Sequence, residues 1–307
     1  MRRRRKSPLP QRHGLDAARL GLPTDGRHWV TIRDHLIDRL PRVSPERIDV
    51  LLREHRIVDM NGPVTADAPF VPGGVVWFHR DLPDEVPVPF PIPVVHRDDD
   101  LLIVDKPHFL ATIPRGSHVL QTALVRLRQE LELPDLVPAH RLDRATAGLV
   151  MFVVNPLRRG AYQTLFRDRL VRKEYTAVAR YDPALDLPRT VRSRIVKERG
   201  EIRAKEVPGP VNAETRVELS EHRDGIGRYR LLPTTGRTHQ LRLHMNSLGV
   251  PILGDDFYPE LTEKPLDDFT DPLQLVASVL AFTDPVTGAP RRFESARALD
   301  AWPAWPA

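Results

Sequence analysis

One acid stands in the setting that nucleophilic chemistry needs. Asp143 lies in the run His140-Arg141-Leu142-Asp143-Arg144, which is followed by Thr146-Ala147-Gly148 and an apolar segment from Leu149 to Val154. Flanking guanidinium groups favour the ionised carboxylate, which suits it to attack or to charge stabilisation rather than to proton donation. The small residues read as a turn and the apolar run as a buried strand, so the acid sits on a loop at a strand entrance. A solvated turn held by weak ion pairs has the same composition, and spacing alone leaves both readings open.

The wider pattern narrows the choice. His-Arg-Leu-Asp-Arg-x-Thr-x-Gly ahead of an apolar strand resembles the signature of the RluA-type RNA pseudouridine synthases. Further segments are similar to that family in order, from about Val94 to about Gly288. They include Asp105-Lys106-Pro107, Lys173-Glu174-Tyr175, the run Thr235-Gly236-Arg237-Thr238-His239-Gln240-Leu241-Arg242-Leu243-His244, and Pro251-Ile252-Leu253-Gly254-Asp255.

The resemblance implies that Asp143 is the catalytic residue. It places Tyr175 against the uracil ring, with a part in proton removal, and makes Arg242 the basic partner that keeps Asp143 ionised. It implies substrate or loop-orienting contacts from Lys106, His140, Arg141, Arg144, Thr146, Arg237, His239 and Gln240, with Arg141 filling the space left by an extruded nucleotide. Two departures stand out. His108-Phe109-Leu110 replaces the small Gly-Leu usual in the family, and Leu275-Val276-Ala277 lacks its histidine.

The implied reaction is isomerisation of specific uridines to pseudouridine in structured RNA, either rRNA or tRNA. A catalytically silent RNA-binding protein of the same fold is the alternative. An aspartate-dependent glycosidic hydrolase generally needs two carboxylates in defined roles, and only one acid here has a catalytic context.

Composition sets bounds on the rest. The 307 residues include no cysteine, which excludes thiolate catalysis, disulfides and cysteine-held zinc. His239 and His244 lack the glutamate of a zincin helix, and no glycine-rich phosphate loop or dinucleotide fingerprint occurs, so neither a metal nor a cofactor is expected. A net charge of +5 favours a polyanionic partner, RNA. No apolar run approaches the roughly 20 residues of a membrane span, and none follows the Arg-rich start. A cytoplasmic monomer with no membrane association and no obligate protein partner is expected.

These residues must be held by an α+β fold. The resemblance implies a pseudouridine synthase fold: a mixed, mainly antiparallel sheet flanked by helices with a central cleft, plus a small N-terminal α/β module. Residues 1–25 read as a basic flexible tail, 26–82 as a small alpha-L-like RNA-binding module or a degenerate form of it that serves only in packing, and 83–93 as a proline-rich linker. Residues 94–295 form the catalytic domain and 296–307 a tail. Helical spacing is expected from Trp29 to Leu40, then after an Ser44-Pro45 start, and from Gln121 to Leu131 with Arg126, Arg128 and Gln129 on a solvated face. Asn155-Pro156 opens a helix burying Leu157, Ala161, Leu165 and Phe166, and Thr238 caps one ending at Gly249.

Overall fold

The computed structural model describes residues 6–25, 29–82 and 84–302. The chain divides into two compact units, Met1–Asp84 and Glu85–Ala307.

In the first unit, β1 (Ala18–Gly21) precedes α1 (Ile32–Arg39), α2 (Pro45–Arg53), β2 (Ile57–Val58) and β3 (Val75–Phe78). Ser44 accepts the Arg47 amide at 3.2 Å with Pro45 at the first helical position, as the sequence predicts for α2. Its buried face of Ile48, Leu51 and Leu52 packs on Leu36, Ile57 and Val76. The strands run in the order β1-β3-β2. A flexible tail to residue 25 is therefore incorrect: Ala18 and Leu20 alternate toward the core while Ala18–Gly21 pairs with Val75–Phe78. The basic residues Arg2 to Arg5 lie outside the described residues.

The second unit is built on a ten-stranded sheet among the described residues, in the order β4-β5-β7-β14-β8-β13-β12-β9, with β6 beside β7 and β15 beside β14. Its strands are β4 (Val94–Arg97), β5 (Leu101–Lys106), β6 (Val137–Pro138), β7 (Ala147–Val153), β8 (Arg172–Arg180), β9 (Arg189–Ser193), β12 (Ala213–Arg223), β13 (Ile226–Pro233), β14 (Leu275–Thr283) and β15 (Pro290–Glu294). A short separate hairpin pairs β10 (Ile195–Val196) with β11 (Lys205–Glu206). Among the described strands only β7 and β14 pair in parallel, so the sheet is mixed and mainly antiparallel. The fold is α+β.

Strands β5 and β7 are buried on both faces, which explains their unbroken apolar sequence. Leu102, Val104, Val150 and Phe152 face α3 (Ala123–Glu130), whereas Leu101, Ile103, Leu149 and Met151 face α4 (Arg159–Arg167). Helix α5 (Gln240–Ser247) packs Leu241 and Met245 against Ala177, Val217 and Leu231.

Several expectations change here. Arg128 is buried and donates from Nε to the Leu136 carbonyl at 3.0 Å, so the outer face of α3 is not simply solvated. Asn155 starts a 3-10 turn, Pro156–Arg158, which shifts the helical phase before α4. Leu157 is consequently 88% exposed and Tyr162 takes the core position.

Residues 85–93 are strapped to the second unit. The Glu85 carboxylate accepts the amides of Val119, Leu120 and Gln121, and Arg126 donates to the carbonyls of Val88 and Phe90. The extended proline path leaves those carbonyls free to be claimed. Within the expected tail, residues 296–302 are packed, since Arg297 donates to Asp105 and Leu299 is buried. The rest of the expected tail, residues 303–307, lies outside the described residues.

Candidate active site

The loop from His140 to Thr146 is fixed from several sides. The Thr112 hydroxyl donates to the Leu142 carbonyl at 2.8 Å and accepts the Leu142 amide at 3.1 Å. His108 donates from Nδ1 to the Ala145 carbonyl at 2.7 Å, and the Thr146 amide closes on the Asp143 carbonyl at 3.2 Å. His140 accepts the Met151 amide through Nε2 at 3.1 Å and stacks on Phe166 with ring centroids 4.3 Å apart. Burial, with Lys173 nearby, pushes His140 down to about 3, so its ring is neutral, as an accepting Nε2 requires.

Strand register brings this loop to Tyr175. Ala277 of β14 pairs with Gly148 on one side and with Tyr175 on the other. A Cβ on Gly148 would lie 2.4 Å from the Ala277 carbonyl oxygen, and Gly148 has φ +108, so only glycine permits this approach. Burial first, and then the charge of Asp143, raise the Tyr175 phenol above its ordinary range. It remains a phenol, suited to packing and hydrogen-bond donation rather than to acting as a ready base.

A cleft of about 430 Å³ is lined by Asp143, Tyr175 and Arg242, and also by His140, Arg141, Arg144, Thr146, Arg237, His239 and Gln240. Segments far apart in the sequence thus meet at one opening. A relative from Pasteurella multocida (strain Pm70), named dual-specificity RNA pseudouridine synthase RluA, is 33% identical over 206 residues, covering 63% of this chain and 88% of the relative. The family model described as RNA pseudouridylate synthase matches residues 100–247.

The chain belongs to the RluA-type RNA pseudouridine synthase family. Its reaction is the isomerisation of uridine to pseudouridine in RNA. A Yersinia pestis relative of the same name is 31% identical over 213 residues, covering 66% of this chain and 97% of the relative. Human RNA Pseudouridylate Synthase Domain Containing 4 shares the fold, with a TM-score of 0.51 at 24% identity over 66% of this chain and 87% of that one.

Within this RluA-type site, several expectations are narrowed or corrected. Arg242 is not directly ion-paired with Asp143 among the described residues. Its guanidinium meets Asp255 at 2.8 and 2.5 Å and Asp256 at 2.8 Å, and it lies 4.6 Å from the Phe257 ring centroid. The charge of Asp143 acts on it through space, alongside Asp255 and Asp256.

Lys106 does not reach the cleft. It is fully buried and donates from Nζ to the carbonyls of Pro107, Leu110 and Arg144 at 2.9, 2.7 and 3.4 Å. It braces the Asp143 loop and is not placed to touch phosphate. Burial, then the neighbouring Arg297 charge, pull its pKa down to about 7.

Gln240 spends its amide internally. Its oxygen accepts Thr235 Oγ1 and the Arg237 amide, while its nitrogen donates to the Glu214 carbonyl and Thr215 Oγ1. This network sets the entry to α5, where Thr238 was the expected cap. His239 occupies the N-cap position with φ +56, and its Nδ1 donates to the Tyr258 hydroxyl at 3.0 Å. Burial lowers its pKa. Arg237 donates to the Asn212 carbonyl at 3.1 Å, and Arg141 stays exposed at the rim.

Sequence reasoning missed Arg115, His118 and Lys173, which also line the cleft. Arg115-Gly116-Ser117-His118 carried a turn signal, but nothing in its composition connected it to the Asp143 loop.

Proposed function

We propose that this RluA-type enzyme isomerises uridines in structured rRNA or tRNA, with Asp143 as nucleophile or charge stabiliser, Tyr175 against the base and Arg242 as the nearby cation. The observation that carries this reading is the meeting of the three side chains in one cleft. The relatives' name, dual-specificity RNA pseudouridine synthase, favours a substrate class wider than one RNA.

The bond between N1 and C1′ breaks, the uracil turns, and C5 bonds to C1′. The C5 proton leaves and N1 gains a proton, so atoms and electrons balance without redox change. Asp143 supplies the anionic charge at the reacting sugar or base. Arg242, oriented by Asp255 and Asp256, sets a fixed guanidinium in the wall of the same cleft. Tyr175 packs on the uracil face, and Arg141 at the rim fills the space vacated by the extruded nucleotide. His140, Thr146, His239 and Gln240 orient the loops, while Arg144 and Arg237 contact the RNA backbone.

The 26–82 region acts as an alpha-L-like accessory module ahead of the catalytic region. We place the enzyme in the cytoplasm as a monomer; no helix among the described residues is long and apolar enough to cross a membrane. Carbodiimide mapping of RNA from cells with and without the gene tests the activity. Sites present only with the gene identify the target, and identical maps reject the reading.

A further inference from the structure

Phe109 occupies the left-handed region at φ +63 although it carries a bulky side chain. Such strain persists where packing over-determines the conformation. Here the packing is aromatic: the Phe109 ring lies 6.3 Å from Phe90 and 5.6 Å from Phe269, and those two rings are 5.8 Å apart. Three segments distant in sequence close one triangle of rings.

Arg144 rests on this platform, with its guanidinium carbon 5.9 Å from the Phe109 centroid. Its Nε is buried without a hydrogen-bond partner, and its guanidinium forms no ion pair among the described residues. Arg115 and His118, joined by a turn closed at 2.8 and 3.2 Å, line the same cleft. Asp143 is the sole carboxylate along that lining. A partly buried guanidinium with an open donor, a second arginine and an imidazole form a seat for an anion.

We propose that Phe109 is a positioning residue that holds Arg144 as the seat for a phosphodiester adjoining the target uridine, with Arg115 and His118 closing the seat. This rests on the reading of Asp143 as the reacting acid, because the seat is placed relative to it. The ring fixes the guanidinium plane, and the left-handed backbone turns the ring beneath it. Burial depresses the Arg144 pKa, with Asp256 opposing, and a bound phosphate would offset the burial.

The test uses the full chain and bulk rRNA and tRNA carrying tritium at uridine C5. Phe109→Gly suits the backbone and removes the ring; Phe109→Tyr keeps the ring. We expect Phe109→Gly to lower the thermal midpoint, since the ring is buried in the core, and to raise KM about ten-fold with kcat within about two-fold in the folded fraction, and Phe109→Tyr to behave as wild type. Arg144→Met should raise KM to a similar extent, and the double variant should add little, as expected for groups acting as a unit.

RNA binding by Asp143→Asn, titrated against salt, should lose about 0.7 to 0.9 from its log–log slope when Arg144→Met is added, the loss of one phosphate contact. An unchanged KM in Phe109→Gly, independent multiplication of the two effects, or an unchanged salt slope overturns the proposal. Should Phe109→Gly fail to fold, Arg144→Met and the salt slope still decide. Wild type that releases no tritium defeats the uridine reading instead, and the slope still judges the seat by itself.

Discussion

Arg242 and Asp255 form a two-pronged ion pair at 2.8 and 2.5 Å, with 2% and 1% of their side chains exposed. The guanidinium is therefore oriented before any RNA arrives. It can serve Asp143 through its field while its hydrogen bonds are spent elsewhere.

Breaking a buried pair leaves an uncompensated charge, at a cost of about 3–5 kcal/mol. We expect Asp255→Asn and Arg242→Met each to lower unfolding stability by about 3 kcal/mol, and Asp255→Asn to cut turnover strongly although Asp255 is absent from the cleft lining. Urea denaturation and initial rates measure both. Wild-type turnover in Asp255→Asn would mean that the fixed orientation of Arg242 is unimportant.

Gly148→Ala should be among the most damaging single-carbon changes. The added Cβ would meet the Ala277 backbone at 2.4 Å at the contact that joins β7 to β14, and the φ of +108 is itself unfavourable for alanine. We expect a loss of roughly 3 kcal/mol or more and a marked fall in activity in whatever fraction folds. Near-wild-type stability and rate would show that the strands do not need this approach.

What the sequence made legible was local or periodic. Ser44-Pro45 announces α2 because cap and proline act within one turn. The apolar run after Gly148 announces β7 because burial on both faces leaves no polar position. The cleft residues Asp143, Tyr175 and Arg242 were legible through family motifs, since no local rule links residues on a loop, a strand and a helix.

What stayed hidden depended on distant partners. Lys106 beside a motif looks like a phosphate contact, and only the fold shows three carbonyls closing around it. The pairing of Arg242 with Asp255 follows from the turn after α5, which spacing does not reveal. Residues 85–93 look like a linker because composition conceals that Arg126 and Gln121 reach back to the Val88 backbone. The 3-10 turn at Pro156 misplaced Leu157 by shifting the helical phase.

Stability should fall on mild acidification. Burial pushes His140 down to about 3 and His108 and His244 down to about 4, each below the unfolded value of roughly 6.5. The unfolded chain then binds more protons between these values. The contribution is full above pH ~6.5 and is lost as pH falls through ~4 to 3, by roughly 1–2 kcal/mol per histidine at pH 5.

His140→Asn, whose side-chain oxygen can accept the Met151 amide without titrating, should flatten the dependence of the urea midpoint between pH 7 and 5. An unaltered slope would remove His140 from this linkage.

The most direct measurement is tritium release from C5-labelled uridine RNA by wild type and Asp143→Asn, with RNA affinity measured in parallel. We expect wild type to release tritium and form a mass-silent nucleoside, and Asp143→Asn to release none while binding RNA within a few-fold of wild type. Tritium release by Asp143→Asn at the wild-type rate would contradict the central role of this carboxylate.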